Sequence, residues 1–151
     1  MYAVVIGIDN YVVQSRLKGA VKDAKHVKEF LQTELEVPQE NITELFDDKA
    51  SRDNIISAVM ALYSPNSRVK RDDLIIIYFA GHSARGEAPS CWCPGAKDRT
   101  VEMICPVDTG SEKNGKVVSG IPEVVISNLI ARIADEKSDN IVKKSSYIGH
   151  C

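Results

Sequence analysis

No apolar run in this chain of 151 residues approaches the ~20 residues that cross a bilayer, so no membrane association is expected. An excess of one charge is missing too. The 19 Lys and Arg stand against 21 Asp and Glu, a net charge of −2 with a pI near 5.9. That balance removes the electrostatic case for nucleic acid or an anionic membrane as a partner. The four cysteines, Cys91, Cys93, Cys105 and Cys151, fall at irregular spacing and make no disulfide framework. A reducing, cytoplasmic compartment is the expectation. Residue 1 runs straight into an apolar segment, with no basic stretch and no small-residue cleavage site, so no signal peptide is expected. Internal repeats and low-complexity linkers are lacking. There is also no Gly-x-Gly-x-x-Gly after the first apolar run and no Walker motif, which weakens nucleotide-binding readings. Cys91-x-Cys93, Cys105 and His82 can be drawn together as a zinc site. The spacing is not the Cys-x-x-Cys of common knuckles, so ordinary thiols and no metal are expected.

What is present reads as one domain, large enough to bury about 70% of the surface its unfolded chain exposes. Hydrophobic content of 44% and charged content of 26% are ordinary globular values. Leu74-Ile75-Ile76-Ile77-Tyr78-Phe79 is apolar throughout, the pattern of a strand buried on both faces. The run stops at Ala80-Gly81-His82, which places His82 just past the carboxyl end of that strand, the rim where α/β sheets bind ligands. A lone His that merely caps a loop is the plainer alternative. Gly81 beside it and the polar Ser83-Ala84-Arg85-Gly86 after it favour a functional histidine.

Tyr2 to Ile8 is a second doubly buried strand, ended by the turn residues Asp9-Asn10-Tyr11. Leu17, Ala20, Val21, Ala24, Val27, Phe30, Leu31 and Leu35 recur at helical spacing, with Asp23 near the amino end. Asn41–Phe46 reads as a shorter strand. Ser51 can cap a helix of stripe Ile55, Ile56, Val59 and Leu62. This strand–helix alternation calls for right-handed crossovers and a mostly parallel sheet. Residues 83–100 read as a long surface loop, Val101–Pro106 as a strand, and Pro122–Ala134 as a helix. Asn140-Ile141-Val142 opens a last strand that Lys143-Lys144 should stop.

Three segments carry a resemblance: Tyr2 to Tyr11, Leu17 to Ala24, and Ile75 to Ser83. Together with Ile104-Cys105-Pro106-Val107-Asp108 and Gly120-Ile121-Pro122, they resemble the large-subunit half of the caspase-like cysteine peptidases, of the metacaspase type found in fungi. The resemblance covers roughly residues 2 to 142. It implies a three-layer α/β/α sandwich and a Cys–His dyad, with His82 as general base toward the thiol and then acid toward the leaving amine. It implies that Asp23 lines a pocket for a basic P1 side chain, hence Arg- or Lys-directed cleavage of peptide or protein substrates. An ordinary carboxylate facing the helix dipole is the alternative for Asp23. Ala20 and Ala80 replace polar pocket residues of the family, and Ser83 follows His82 where the family has Gly. Calcium is admitted by the resemblance, but Asp108 and Glu123 are too thin a set for such a site.

The end of the chain departs from the family. The nucleophile should fall near Ile148, whereas the nearest thiol is Cys151, preceded by Gly149-His150. Two lysines also occupy positions that a central strand would keep apolar. The expectation is therefore a caspase-like domain over residues 1–142 and a divergent tail over 143–151, as from a truncated, misread or differently spliced product. Either the chain is a peptidase, or it is a non-catalytic relative that binds peptides or partner caspase-like chains; the missing nucleophile motif favours the second. With its partner strand cut short, the Leu74–Phe79 edge should also drive self-association.

Overall fold

Side chains on successive residues of a strand point to opposite faces, and the two buried runs of this sequence supply both faces of one sheet. The computed structural model describes residues 1–88 and 100–150, with side chains through Tyr147. Its elements are β1 (Tyr2–Gly7), α1 (Ala20–Thr33), β2 (Ile42–Phe46), α2 (Arg52–Ala61), β3 (Ile75–Glu87) and β4 (Thr100–Ile104). The short strands β5 (Glu112–Lys113), β6 (Lys116–Val117) and β7 (Ile121–Pro122), the helix α3 (Glu123–Lys137) and the strand β8 (Ile141–His150) follow. The main sheet runs β2-β1-β3-β4-β7, with β8 paired to β3, and β5–β6 form a separate ribbon. β1 is parallel to β2 and β3, and β3 is parallel to β8; β4 is antiparallel to β3 and β7. The fold is mixed α/β with a mostly parallel sheet, as the strand–helix alternation requires.

Ala3 and Val5 of β1 join Tyr78 and Ala80 of β3 under Ala20, Ala24 and Leu31 of α1. Val4 and Ile6 join Ile75, Ile77 and Phe79 in a second cluster with Ile55 and Val59 of α2 and Ile126 and Ile133 of α3. α1 lies so close to β1 that a Cβ on Gly7 would stand 2.6 Å from Ala24 Cβ and 2.9 Å from Ala20 O. Only glycine permits that approach. The Asp9 carboxylate caps α1, accepting from the N–H groups of Ala20 (2.9 Å) and Val21 (3.3 Å). The cap thus comes from the end of the preceding strand, because Gly19 has no side chain to offer. Ser51 Oγ accepts from Asn54 N–H at 3.3 Å, the expected cap of α2.

Three expectations change. The strand that carries His82 does not end before it; β3 continues to Glu87. Its pairing with β1 stops at Ala80, and β4 takes over from Ser83 to Glu87 in antiparallel register. The first part of the supposed loop, through Glu87, is therefore strand, while residues 89–99, with Cys91 and Cys93, lie outside the described residues. Nor does the last strand stop at Val142. β8 runs through the lysines to His150, pairing with β3 from Ile75↔Ile141 to Ser83↔His150. The Leu74–Phe79 strand is thereby covered along that side, and the exposed edge expected to drive self-association is not there. The lysines are tolerated because β8 has β3 as its one neighbour among the described residues, so their heads reach water. Lys143 Nζ also pairs with Glu123 at 3.3 Å.

Candidate functional site

His82 is 3% exposed and sits inside β3, two residues beyond Ala80 and on the same face by the strand's alternation. Its ring Nε2 lies 2.9 Å from the backbone oxygen of Ser15 and 3.4 Å from Ser15 Oγ. A carbonyl only accepts, so Nε2 carries the proton and donates it there. Nδ1 is then the basic nitrogen, buried and without a hydrogen-bond partner among the described residues. The backbone around the ring is held as firmly. His82 N–H donates to Tyr11 Oη at 2.8 Å, and the Tyr11 ring lies against the imidazole with centroids 4.8 Å apart. On the β4 side, Cys105 N–H donates to His82 O at 3.0 Å. A Cβ on Gly81 would come within 2.5 Å of Tyr11 Oη and 2.9 Å of Phe79 Cζ, so the glycine lets Tyr11 reach the His82 backbone.

Tyr11 and Ser15 belong to the loop between β1 and α1, and that loop is tied down from β2. Asp47 Oδ1 accepts from the N–H groups of Asp9 (2.8 Å) and Asn10 (2.9 Å), and Oδ2 accepts from Asn10 Nδ2 (2.8 Å). Burial pushes the Asp47 carboxyl up, but the bonds from Asn10 and Asp9 outweigh it and hold it below its usual range. Further on, Val12 N–H donates to Val107 O at 3.0 Å and Leu17 N–H to Asp9 O at 2.9 Å.

Asp23 stands exposed in the first turn of α1. Its neighbourhood is marked by Tyr78. Burial raises the Tyr78 hydroxyl above its usual range, the Asp23 carboxylate adds to the rise, and a bond with Ser146 opposes it. Ser146 stands opposite Ala80 in the β3–β8 register, and Ala20 and Ala80 are fully buried in the same cluster as Tyr78. The Asp23 carboxylate is thus near enough to act on the Tyr78 hydroxyl through its charge. On the β8 side of the histidine the register shifts between Gly81 and His82, so that Tyr147 faces Gly81 and Gly149 faces His82. Ile148 is the extra residue of that irregularity, and its side chain, like Cys151, lies outside what is described. Cys105 is a buried thiol.

Asp108 and Glu123, the carboxylates weighed for calcium, are engaged by protein donors. Asp108 Oδ1 accepts from Arg52 N–H at 2.9 Å. Glu123 Oε1 accepts from Lys143 Nζ and from the Tyr147 hydroxyl. Among the described residues no three His, Cys, Asp or Glu gather as a metal cage. No helix there is long and apolar enough to cross a membrane.

Sequence reasoning assigned no role to Ser15 or Asp47. Ser15 acts through its backbone carbonyl, which any residue has, and Asp47 meets the site only through the β1–β2 pairing. Tyr11 belonged to a matching segment, yet nothing in the pattern said what its hydroxyl does.

Comparison with known proteins bears on the family. None of the curated proteins matches the sequence. A crystal structure of a structural-genomics target protein from Geobacter sulfurreducens is similar in fold, with a TM-score of 0.68 at 13% identity. The match covers 99% of this chain and 50% of that one, so the chain spans about half the length of that protein. Residues 2–137 match the family model described as the metacaspase, peptidase C14 domain. The chain, on that match, belongs to the metacaspase peptidase C14 family.

Proposed function

We propose that this chain carries the base-bearing half of a caspase-like cysteine endopeptidase site, and that as it stands it binds peptides or partner caspase-like chains without cleaving them. The observation that carries the reading is the His82 ring. Its Nε2–H is fixed on the Ser15 carbonyl and its Nδ1 lone pair is left buried without a partner among the described residues. An imidazole anchored through one nitrogen, with the other left clear, is what a general base toward a thiol requires. The sorting of α1 from α2 and α3 into two clusters supports the three-layer sandwich of caspase-like domains. Asp23, an exposed carboxylate in the first turn of α1 whose charge reaches Tyr78, supports recognition of an Arg or Lys side chain. Ala20 and Ala80, both buried in the Tyr78 cluster, offer that side chain no polar partner.

Against catalysis stands the residue opposite His82 in the neighbouring strand, which is Gly149 rather than a cysteine. Loss of the nucleophile from a triad costs roughly 10⁶-fold in turnover, and a Cys–His pair should suffer comparably. A fluorogenic Arg peptide should therefore be bound but not hydrolysed by the purified chain. Robust hydrolysis abolished by His82→Ala would overturn the non-catalytic reading in favour of an active peptidase.

A further inference from the structure

Asp47 touches neither ring nitrogen of His82, yet the loop that does is built on it. The parallel pairing of β1 with β2 ends at Gly7↔Phe46, which sets Asp47 beside the first residues past β1. There its carboxylate takes three donors, the N–H groups of Asp9 and Asn10 and the Asn10 side-chain amide, at 2.8 to 2.9 Å. The next residue, Tyr11, receives the His82 N–H, and Ser15 receives Nε2–H. Asp47 adopts φ +45°, a backbone region that costs a side-chain-bearing residue on the order of 1 kcal/mol or more. A glycine would sit there without strain, so the aspartate is accounted for by what its carboxylate holds.

We propose that Asp47 is a positioning residue for His82: its carboxylate fixes the start of the β1–α1 loop, and through Tyr11 and Ser15 that loop sets the orientation and tautomer of the imidazole. The proposal rests on the reading of His82 as the general base. Without the clamp the stretch from Asp9 to Ser15 keeps the Val12–Val107 and Leu17–Asp9 bonds. It loses the anchor next to Tyr11, and a displacement of about 1 Å in such a site is enough to cost ~100-fold in a reaction.

The test reads His82 directly, on protein labelled with ¹⁵N at histidine and at the backbone. The His82 Nε2 proton, identified by its absence in His82→Ala, should exchange slowly with solvent because it is buried on a carbonyl. Its rate is compared with the amides of Val5 and Ile6 in the core of β1. In Asp47→Gly, which removes the carboxylate and relieves the backbone strain, the Nε2 proton should exchange at least about tenfold faster relative to those amides. Asp47→Asn, which keeps an oxygen for the two backbone donors and tolerates positive φ, should remain within about threefold of the unaltered chain. A Gly variant whose ratio is unchanged overturns the proposal. So does one in which His82 and the core amides accelerate together, since that marks a merely structural role. Should the Gly variant fail to fold, Asn10→Ala, which deletes one of the three bonds, replaces it. A relative acceleration of at least about threefold is then expected, and none would overturn the proposal. None of these readouts involves hydrolysis, so active-peptidase behaviour would refute the non-catalytic reading and leave this one standing.

Discussion

On the β1 side of His82 the groups that meet the histidine are fitted to it. Tyr11 and Ser15 receive its two N–H donors, Gly81 leaves room for the tyrosine, and Asp47 and Asp9 hold both ends of the loop. On the β8 side the fit is poor. The register slips beside the histidine. A void of about 20 Å³ lies between Ser145 and the apolar side chains of Ile6, Ile77, Phe79 and Ile126. The difference teaches that His82 is organised by the loop between β1 and α1, and not by β8.

The largest test of that contrast supplies what β8 lacks. Gly149→Cys puts a thiol at the position opposite His82. Next to an imidazolium a thiol loses its proton more readily, so iodoacetamide at mildly acid pH should label this cysteine about 10- to 100-fold faster than the same cysteine in a His82→Ala background. Equal rates would mean that the histidine, however well held, is not aimed at β8. Cys151 in the unaltered chain should label no faster than Cys91 or Cys93.

Adding volume on the two sides should have opposite signs. Gly7→Val drives a side chain into Ala24 and the Ala20 carbonyl, and should cost about 3 kcal/mol, a fall in Tm of roughly 10 °C. Ser145→Val fills the void of about 20 Å³ and should gain about 0.5 kcal/mol, or roughly 1–2 °C. Thermal unfolding measures both. A stabilising Gly7→Val or a destabilising Ser145→Val would reverse the comparison.

The smallest effect concerns pH. Burial, and then the bond to Glu123, push the Tyr147 hydroxyl up to about 12. A folded-state value above the unfolded one means that this group stabilises below pH 10, and that its contribution is lost as the pH rises from 10 to about 12. Glu123 is held below its usual range by the Tyr147 hydroxyl, with Lys143 adding to the effect against burial. Its contribution is present above the unfolded carboxylate value and lost as the pH falls through the folded one. Asp47, also lowered, behaves in the same sense on the β1 side. Acid should therefore loosen both sides of the site, whereas alkali acts through Tyr147 and through Tyr78, which is also raised. Tyr147 is 39% exposed, so solvent screening limits the alkaline loss to under ~1 kcal/mol. Tyr147→Phe should abolish the difference in chemical stability between pH 9.5 and 11.5 that belongs to this tether. An unchanged difference would show that Tyr147 does not secure β8.

The buried strands, the amphipathic helices and the turn residues that end them were legible in the sequence, because alternation and helical spacing are local patterns that one face of a sheet imposes. His82 was legible as a candidate for the same reason, with a glycine and the end of the fully apolar run marking the spot. Where β3 ends was not legible, since a strand continues as long as any neighbour pairs with it, and β4 takes over where β1 stops. The fate of Lys143 and Lys144 was not legible either. Lysines exclude a strand from the middle of a sheet but not from its margin, and only the pairing with β3 alone, together with Glu123 across from Lys143, decided which applied. The sequence by itself determined the family, the α/β alternation and the histidine. The tertiary structure decided how that histidine is held, because a backbone carbonyl at Ser15 and a carboxylate at Asp47 come to it through chain crossings and sheet register, which leave no trace in residue spacing.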